Sequence, residues 1–346
     1  MFDWLYRIFG TILAFFNDIT GHYALALVLY ALVFALKLAA NGWRFHTCTE
    51  QSHDVKEPFQ SISLETITAD VTFLPTDGDS AKVVCFEEQK VKHSVSVEDG
   101  KLRIFAVDER RWYDYISLFS FKTPKITVYL PHLAYGALTL KTNTGDVNIP
   151  DHFTFASVDI AGNTGDVICG SKVDGTVRIK ISTGDISMQN AEVGATELKV
   201  STGDVSFSGC AQSLFVKTST GDISMQNAEV GSMDLRVSTG DTCLTNVICQ
   251  SLKTTGNTGD VRLENVIAAE KFSIERSTGD VRFDACDAAE IFVKTDTGSV
   301  KGTFLTEKVI SAKSDTGRVK VPNSTSGGKC EIKTSTGNIK IEIKGN

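Results

Sequence analysis

A segment of the form Thr-Gly-Asp, with apolar residues on both sides, recurs along the chain and constrains its fold more than any other feature. Successive glycines of this segment lie 18 to 20 residues apart. The eleven glycines are Gly145, Gly165, Gly184, Gly203, Gly221, Gly240, Gly259, Gly279, Gly298, Gly317 and Gly337. A period this regular indicates an array of equivalent supersecondary units that stack on their neighbours.

Each unit alternates as a strand does. With positions numbered from the glycine, +2 and +4 are apolar in nearly every unit, with Thr242 and Gly302 as the exceptions, and −5 is usually Leu, Ile or Val. Apolar residues two apart on both sides of a corner indicate two short strands. Such strands bury their apolar face only by stacking, at ~4.8 Å per coil. The sequence therefore predicts an all-β, right-handed parallel β-solenoid (β-helix) with coils of about 19 residues.

The residues at the corner have distinct predicted tasks. Glycine allows a positive φ, which other residues avoid. Position +1 holds Asp146, Asp166, Asp185, Asp204, Asp222, Asp241, Asp260 and Asp280, and then changes to Ser299, Arg318 and Asn338. We interpret these glycines and aspartates as structural corners, in which each carboxylate accepts a backbone N–H. The alternative is a ladder of cation sites like that of the calcium-binding nonapeptide repeats, which have a shorter period and more glycines.

A row of eight like charges about 5 Å apart needs compensation. Position −4 offers it, since it holds Lys141, Lys180, Lys199, Lys217, Arg236, Lys294, Lys313 and Lys333. We expect each of these cations to reach the corner Asp of its own or a neighbouring coil.

Composition excludes several classes of protein. The net charge is −7, but residues 299–346 carry +5 and the rest carries −12, which does not favour nucleic-acid binding. The basic end could contact an anionic surface, or it could be a solvated terminal coil. The eight cysteines form no Cys-x-x-Cys pair, so zinc-ribbon and thioredoxin-type sites are not expected. No catalytic, cofactor-binding or metal-binding residues are predicted.

The N-terminal region predicts membrane attachment. Residues 1–20 have apolar residues at helical spacing, which is typical of an interfacial amphipathic helix. Residues 21–41 include an eighteen-residue apolar run, Tyr23 to Ala40, with Lys37 as its one charge. A run of this length predicts a single transmembrane helix. Residues 42–59 are polar and predict a linker.

Residues 1–36 also resemble the start of the YidC-type membrane protein insertases, with His22-Tyr23-Ala24-Leu25-Ala26 at the beginning of the span. That family has a basic residue in this span, where Ala35 stands here, and several further spans. The resemblance implies an anchor and not insertase activity. It also favours a cytoplasmic location for the repeats, as do the free thiols and Lys37 and Arg44 after the span.

Residues 60–135 alternate like strands, and the run Thr66 to Phe73 resembles a degenerate repeat with Ala69 in place of glycine. We expect this region to form the N-terminal β cap and first coils, ahead of the repeat solenoid at 136–346. A loop interrupts it with Arg110, Arg111, Trp112, Tyr113, Tyr115 and Phe119. Such residues are typical of partner or membrane contacts, although a loop folded over the end of the core would have the same composition.

The repeats, together with the ITADVTF and PKITVYLP segments, resemble the bacterial "putative adhesin" β-solenoid domains of unknown function over residues 60–345. Members are commonly membrane-anchored or surface-associated and have been linked to cell-envelope stress. The resemblance implies a membrane-anchored, non-catalytic, adhesin-like binding or scaffold protein with an unidentified protein or envelope ligand. A self-assembling scaffold like the bactofilins is the alternative, and a polysaccharide-active β-helix enzyme is a minor one. The charged tail KIEIKGN favours capped ends, and therefore disfavours self-assembly.

Overall fold

The structure, a computed structural model, describes residues 31–32, 48–88, 90–109 and 123–344. Ala31 and Leu32 have helical backbone conformation. The predicted amphipathic helix and the rest of the predicted span lie outside the described residues. No helix among the residues that are described is long and apolar enough to cross a membrane.

Residues 48–88, 90–109 and 123–344 form strands connected by short bends and turns. The strands of the N-terminal part are β1 (Thr49–Val55), β2 (Ser61–Thr66), β3 (Asp70–Thr76), β4 (Ala81–Glu87), β5 (Val91–Glu98), β6 (Lys101–Asp108) and β7 (Lys125–Pro131). The first repeat coils contain β8 (Ala134–Thr144), β9 (Val147–Ile149), β10 (Thr154–Thr164), β11 (Val167–Cys169), β12 (Lys172–Val173) and β13 (Val177–Thr183). Long strands that continue through the bends follow, namely β14 (Ile186–Thr202), β15 (Val205–Thr220), β16 (Ile223–Thr239), β17 (Thr242–Thr258), β18 (Val261–Thr278) and β19 (Val281–Thr297). The chain ends in β20 (Val300–Phe304), β21 (Lys308–Thr316), β22 (Val319–Lys320), β23 (Gly328–Thr336) and β24 (Ile339–Ile343).

The coils stack in parallel and in register, one repeat on the next. Leu198 of β14 pairs with Val216 of β15, and Val216 pairs with Leu235 of β16, so position −5 of each coil lies directly above position −5 of the coil before. This confirms the predicted β-solenoid of about 19-residue coils. A second bend at position +6 uses asparagines with positive φ, of 51° to 55°, at Asn190, Asn227, Asn246 and Asn265. The amides of the last three hydrogen-bond to one another at 3.1 and 2.9 Å, forming a ladder on the surface.

The core is the interior of the coil. Side chains at −7, −5, +2 and +4 point inward, and their rows are almost completely buried through the middle of the stack. Burial of apolar area at ~25 cal/mol per Å² makes these rows the main source of stability. The thiols of Cys169, Cys249, Cys286 and Cys330 are also buried inside the coil as small apolar groups, and burial raises the pKa of Cys249 and Cys330 to about 12.

The N-terminal part begins with a true coil. β2 and β3 flank Ala69 and pair in parallel with β8 and β9, so the degenerate segment 66–73 is the first coil of the stack. Beyond it, β6 and β7 add a further parallel layer, on which β5 and β4 pair antiparallel. The outer strand β1 pairs antiparallel with β4, although it lies in the interval for which the sequence predicts a linker. β1 has few apolar residues because it is exposed along most of its length, and its pairing relies on backbone groups.

The last two coils are stacked in the reverse of their sequence order. β19 pairs with β23, and β23 pairs on its other side with β21. Likewise β24 lies between β20 and β22. The coil of Gly337 therefore fills the gap between the coil of Gly298 and the coil of Gly317, and the coil of Gly317 is outermost. The tail segment KIEI is thus inside the stack, which corrects the expectation that the charged tail caps this end.

Candidate binding surface

The Thr-Gly-Asp corner forms a continuous ridge along the solenoid. The corner glycines have φ between 126° and 157°. A Cβ added to any of them would lie 1.9 to 2.3 Å from a backbone oxygen of the adjacent coil. Glycine is therefore required at this position for two reasons, the positive φ of the backbone and the close approach of the coils.

The aspartates connect neighbouring coils. The backbone N–H of Asp166 donates to Oδ1 of Asp146 at 2.9 Å, and the N–H of Asp185 donates to Oδ1 of Asp166 at 2.8 Å. The same bond repeats at 2.7 to 2.9 Å through Asp280. The ladder starts one coil earlier than the sequence motif, since Oδ1 of Asp70 accepts the N–H of Asp146 at 3.1 Å. Each carboxylate thus accepts from the next coil and not from its own turn.

The swapped coils explain where the aspartates stop. Ser299 N–H donates to Asp280 at 2.8 Å, Asn338 N–H donates to the Ser299 hydroxyl at 3.3 Å, and Arg318 N–H donates to Asn338 Oδ1 at 2.9 Å. Neutral acceptors therefore continue the ladder after Asp280. Arg318 is in the outermost coil, where no further N–H follows among the described residues, so its position needs no acceptor.

The basic residues at −4 do not contact the corner carboxylates, contrary to the expectation from sequence. Lys199 pairs with Glu197, Arg236 with Asp234 at 2.7 Å, and Lys333 with Glu331. Partners two residues apart project from the same face of a strand, whereas each corner carboxylate turns along the stacking axis towards the next coil. These bonds lower the pKa of Glu197 and Glu331, but such exposed pairs add little stability.

The cations closest to the corner carboxylates are arginines at +3. Arg262 lies 3.0 Å from Asp241 and 3.1 Å from Asp260, and Arg282 lies 3.6 Å from Asp280. The same row continues through three more coils in spatial register, which gives a basic row of Arg262, Arg282, Lys301, Lys340 and Lys320. Earlier in the stack this row holds Ser187, Ser206, Ser224 and Cys243.

Towards the end of the solenoid, fewer cations of the basic row are paired with carboxylates. Lys340 pairs with Glu342 at 2.8 Å, and Lys301 makes no ion pair with any residue that the structure describes. Around the corner, the −4 lysines of the same three coils are also in register, as Lys294, Lys333 and Lys313. Because the corner row here is Ser299, Asn338 and Arg318, the last three coils have no acidic residue at the corner itself.

The other sequence-predicted contact residues lie outside the described residues. These are the loop residues Arg110, Arg111, Trp112, Tyr113, Tyr115 and Phe119. The predicted membrane contact through residues 1–41 also lies outside them, except for Ala31 and Leu32. The basic row was not predicted from sequence, although position +3 is basic in each of the last five repeats, which is the signal that could have found it.

The stacked coils define a repeat protein of the parallel β-solenoid class. The chain belongs to the family Toastrack DUF4097, which matches residues 59–245 and 208–346. A solved "putative adhesin" from Bacteroides fragilis is similar, with 15% identity, coverage of 85% of this chain and 97% of that chain, and a TM-score of 0.35. A "putative lipid binding protein" from Parabacteroides distasonis has 13% identity, coverage of 87% and 98%, and a TM-score of 0.38. No curated protein matches the chain.

Proposed function

We propose that the protein is a non-catalytic, adhesin-like binding protein of the bacterial cell envelope, anchored through residues 1–41, and that its basic row binds an anionic polymer. The observation that carries the proposal is the row of five cations on successive strands, at the end of a chain whose remaining residues carry a net negative charge. A polymer with phosphate or carboxylate groups would neutralise these cations in sequence.

The arrangement favours a linear ligand over a flat one. The strands are ~4.8 Å apart, so the five cations span roughly 19 Å along the stacking axis. The −4 lysines lie on the other side of the corner, so the cations form a ridge and not a plane. The acidic body next to this ridge would repel an extended anionic surface, whereas a single chain can follow the ridge alone.

A charge-reversal experiment tests this proposal. The triple variant Lys301→Glu, Lys320→Glu, Lys340→Glu should lose affinity for polyphosphate and polygalacturonate by about tenfold or more, because the row then repels the polymer. Binding by the wild-type chain should weaken as salt is added, since exposed charges are screened. Fluorescence anisotropy with labelled polymers measures both effects.

The matched control reverses three lysines that are stacked in register elsewhere, Lys180→Glu, Lys199→Glu and Lys217→Glu. It makes the same change in net charge and should bind within about twofold of wild type. Equal losses in both triple variants would show that only net charge matters and would refute a defined site. Binding of anionic phospholipid vesicles in preference to both polymers would overturn the choice of ligand.

A scaffold that assembles end to end is a second candidate, favoured by the outermost coil. Val319 of this coil stands at an inward +2 position and is 44% exposed, and the outer edges of β21 and β22 pair with no strand that the structure describes. An unpaired edge over an open core can template another chain. This candidate predicts concentration-dependent filaments of the full chain in negative-stain micrographs, and their loss in Val319→Glu. A single species at every concentration, measured by light scattering, would dismiss it.

A further inference from the structure

A polar cluster is buried at the N-terminal end of the solenoid, away from the basic row. Cys85 and Glu87 lie two residues apart in β4 and face inward, and β5 brings His93 against them across the Glu88–Val91 bridge. Cys85 is fully buried, and the side chains of Glu87 and His93 are each 2% exposed. The thiol sulfur, a carboxylate oxygen and an imidazole nitrogen all lie within 4.8 Å of one another.

Both ring nitrogens of His93 have polar neighbours in this region. Nδ1 of His93 is 3.2 Å from Oε2 of Glu87, and the same oxygen accepts the His93 backbone N–H at 2.7 Å. Nε2 of His93 is 3.1 Å from the hydroxyl oxygen of Thr66. Without a metal, Nδ1–H can donate to Oε2. When Nε2–H donates to the Thr66 hydroxyl instead, the lone pair of Nδ1 and the carboxylate oxygen face each other and can both bind a cation.

The spacing and chemistry of these groups suit a transition metal. On tetrahedral zinc, neighbouring ligand atoms are roughly 3.3 to 3.7 Å apart, given zinc–ligand bonds of 2.0 to 2.3 Å. The Nδ1–Oε2 distance of 3.2 Å is already close to this range, and the thiol sulfur lies within 4.8 Å of both atoms. A set of one sulfur, one nitrogen and one oxygen ligand favours Zn²⁺ over Mg²⁺ or Ca²⁺, which prefer oxygen ligands alone.

We propose that Cys85, Glu87 and His93 form a zinc-binding site in the N-terminal cap, with Nδ1 of His93 as the nitrogen ligand and Thr66 as the residue that orients the ring through Nε2. A hydrogen bond to the second ring nitrogen is the usual support of a metal-binding histidine. Thr66 also lines a surface groove of about 890 Å³, together with Glu65, Arg103 and Lys141. Through its contact with the His93 ring, Thr66 links this groove to the cluster.

The site has a structural consequence for the cap. β4 and β5 belong to the two sheet faces that end at this cap, since β4 pairs with β1 and β7 while β5 pairs with β6. A metal held by ligands from both strands would join these faces where the repeat ladder of corner residues is absent. Metal binding to the folded state alone would raise the stability of the chain.

The test measures zinc in the full chain after refolding with ZnCl₂ and gel filtration. Wild type should retain one zinc per chain, and so should the control Cys169→Ser, which removes another fully buried thiol. His93→Gln should retain at most about one tenth of that amount. With Co²⁺ as the probe, wild type should show thiolate-to-metal charge transfer, and Cys85→Ser should lose it. Thr66→Val keeps all three ligands and should weaken zinc affinity by about tenfold.

Three results would overturn the site. They are a wild-type chain without zinc, a zinc content that His93→Gln and Cys85→Ser leave unchanged, and a wild-type Co²⁺ spectrum without charge transfer. The spectrum decides the question even if the ligand variants fail to fold, which circular dichroism would show. The polymer-binding experiment is independent of all three results.

Discussion

The substitution Gly240→Ala should destabilise the chain by about 3 kcal/mol or more, because it combines backbone strain with a clash between coils. Gly240 has a φ of 143°, and an added Cβ would lie 2.1 Å from the carbonyl oxygen of Gly221. To relieve this contact, two coils must separate at the corner. That movement stretches the bond from the Asp241 N–H to Asp222, now 2.7 Å, and the bond from the Gly221 N–H to the Thr239 carbonyl, now 3.0 Å.

Urea unfolding followed by circular dichroism measures this effect. Gly78→Ala is the matched control, since Gly78 is exposed and its added Cβ would meet nothing closer than the Thr76 hydroxyl at 3.7 Å. The control should unfold within about 0.5 kcal/mol of wild type. Equal urea midpoints for the two variants would show that the stack adjusts at its corner, contrary to the close packing described above.

The sequence predicts the coil, its length and its corner because each depends on local alternation and on a period. It does not predict the order of the last two coils. The coils of Gly317 and Gly337 have similar sequences. A repeat period predicts that each coil stacks on two others, but it does not identify which coils these are. The corner residues contain the missing signal: Asn338 can accept an N–H from a following coil, whereas Arg318 cannot. An arginine at a corner therefore marks the end of the stack, wherever it falls in the sequence.

The structure also explains the two residues that interrupt the apolar rows, Gly302 and Thr242. Gly302 stands at an inward +4 position, and a Cβ there would lie 2.0 Å from the carbonyl oxygen of Phe283. The buried ring of Phe304 packs edge to face on the ring of Phe283 instead, with 5.1 Å between centroids. Single-position periodicity cannot reveal such a compensation, because the filling side chain comes from a different position of the same coil.

Thr242, the other exception, is explained by a buried arginine that sequence analysis missed. Arg276 occupies the inward −3 position and is 3% exposed. One of its terminal nitrogens donates to the Thr242 hydroxyl at 2.6 Å and to the Thr254 hydroxyl at 3.3 Å. Gly256, at −3 of the preceding coil, provides the space, since an added Cβ there would lie 1.6 Å from the guanidinium. A polar residue at +2 and a glycine at −3 in adjacent coils are the pattern that could have predicted this pair.

The charge of Arg276 is retained in the core. Burial lowers the pKa of Arg276 to about 10, against the opposing effect of Asp241 and Asp260. The guanidinium is therefore still protonated at neutral pH. It lies on the inner side of the Asp ladder, and Arg262 contacts the same two carboxylates on the outer side. Because a buried charge depends on its hydrogen-bond acceptors, removing one acceptor should cost more than the loss of an ordinary hydroxyl.

A double-mutant cycle separates this role of Thr242 from its place in the sheet. Thr242→Val restores the usual +2 residue, yet it should destabilise the wild-type chain by about 1 to 3 kcal/mol because the guanidinium loses an acceptor. The second background is Arg276→Thr, because two other coils have threonine at the same −3 position, as Thr295 and Thr218. In this background, Thr242→Val should be neutral or stabilising. The measured quantity is the free energy of unfolding in urea for all four chains.

The control is Thr218→Val, which removes a buried hydroxyl at an inward position that has no contact with Arg276. Distant sites add within about 0.5 kcal/mol, so Thr218→Val should have the same effect in both backgrounds. A coupling of more than about 1 kcal/mol for Thr242 alone would assign its hydroxyl to the guanidinium. If Thr242→Val is equally destabilising in both backgrounds, the hydroxyl stabilises the sheet itself, and the buried cation does not account for the break in the apolar row.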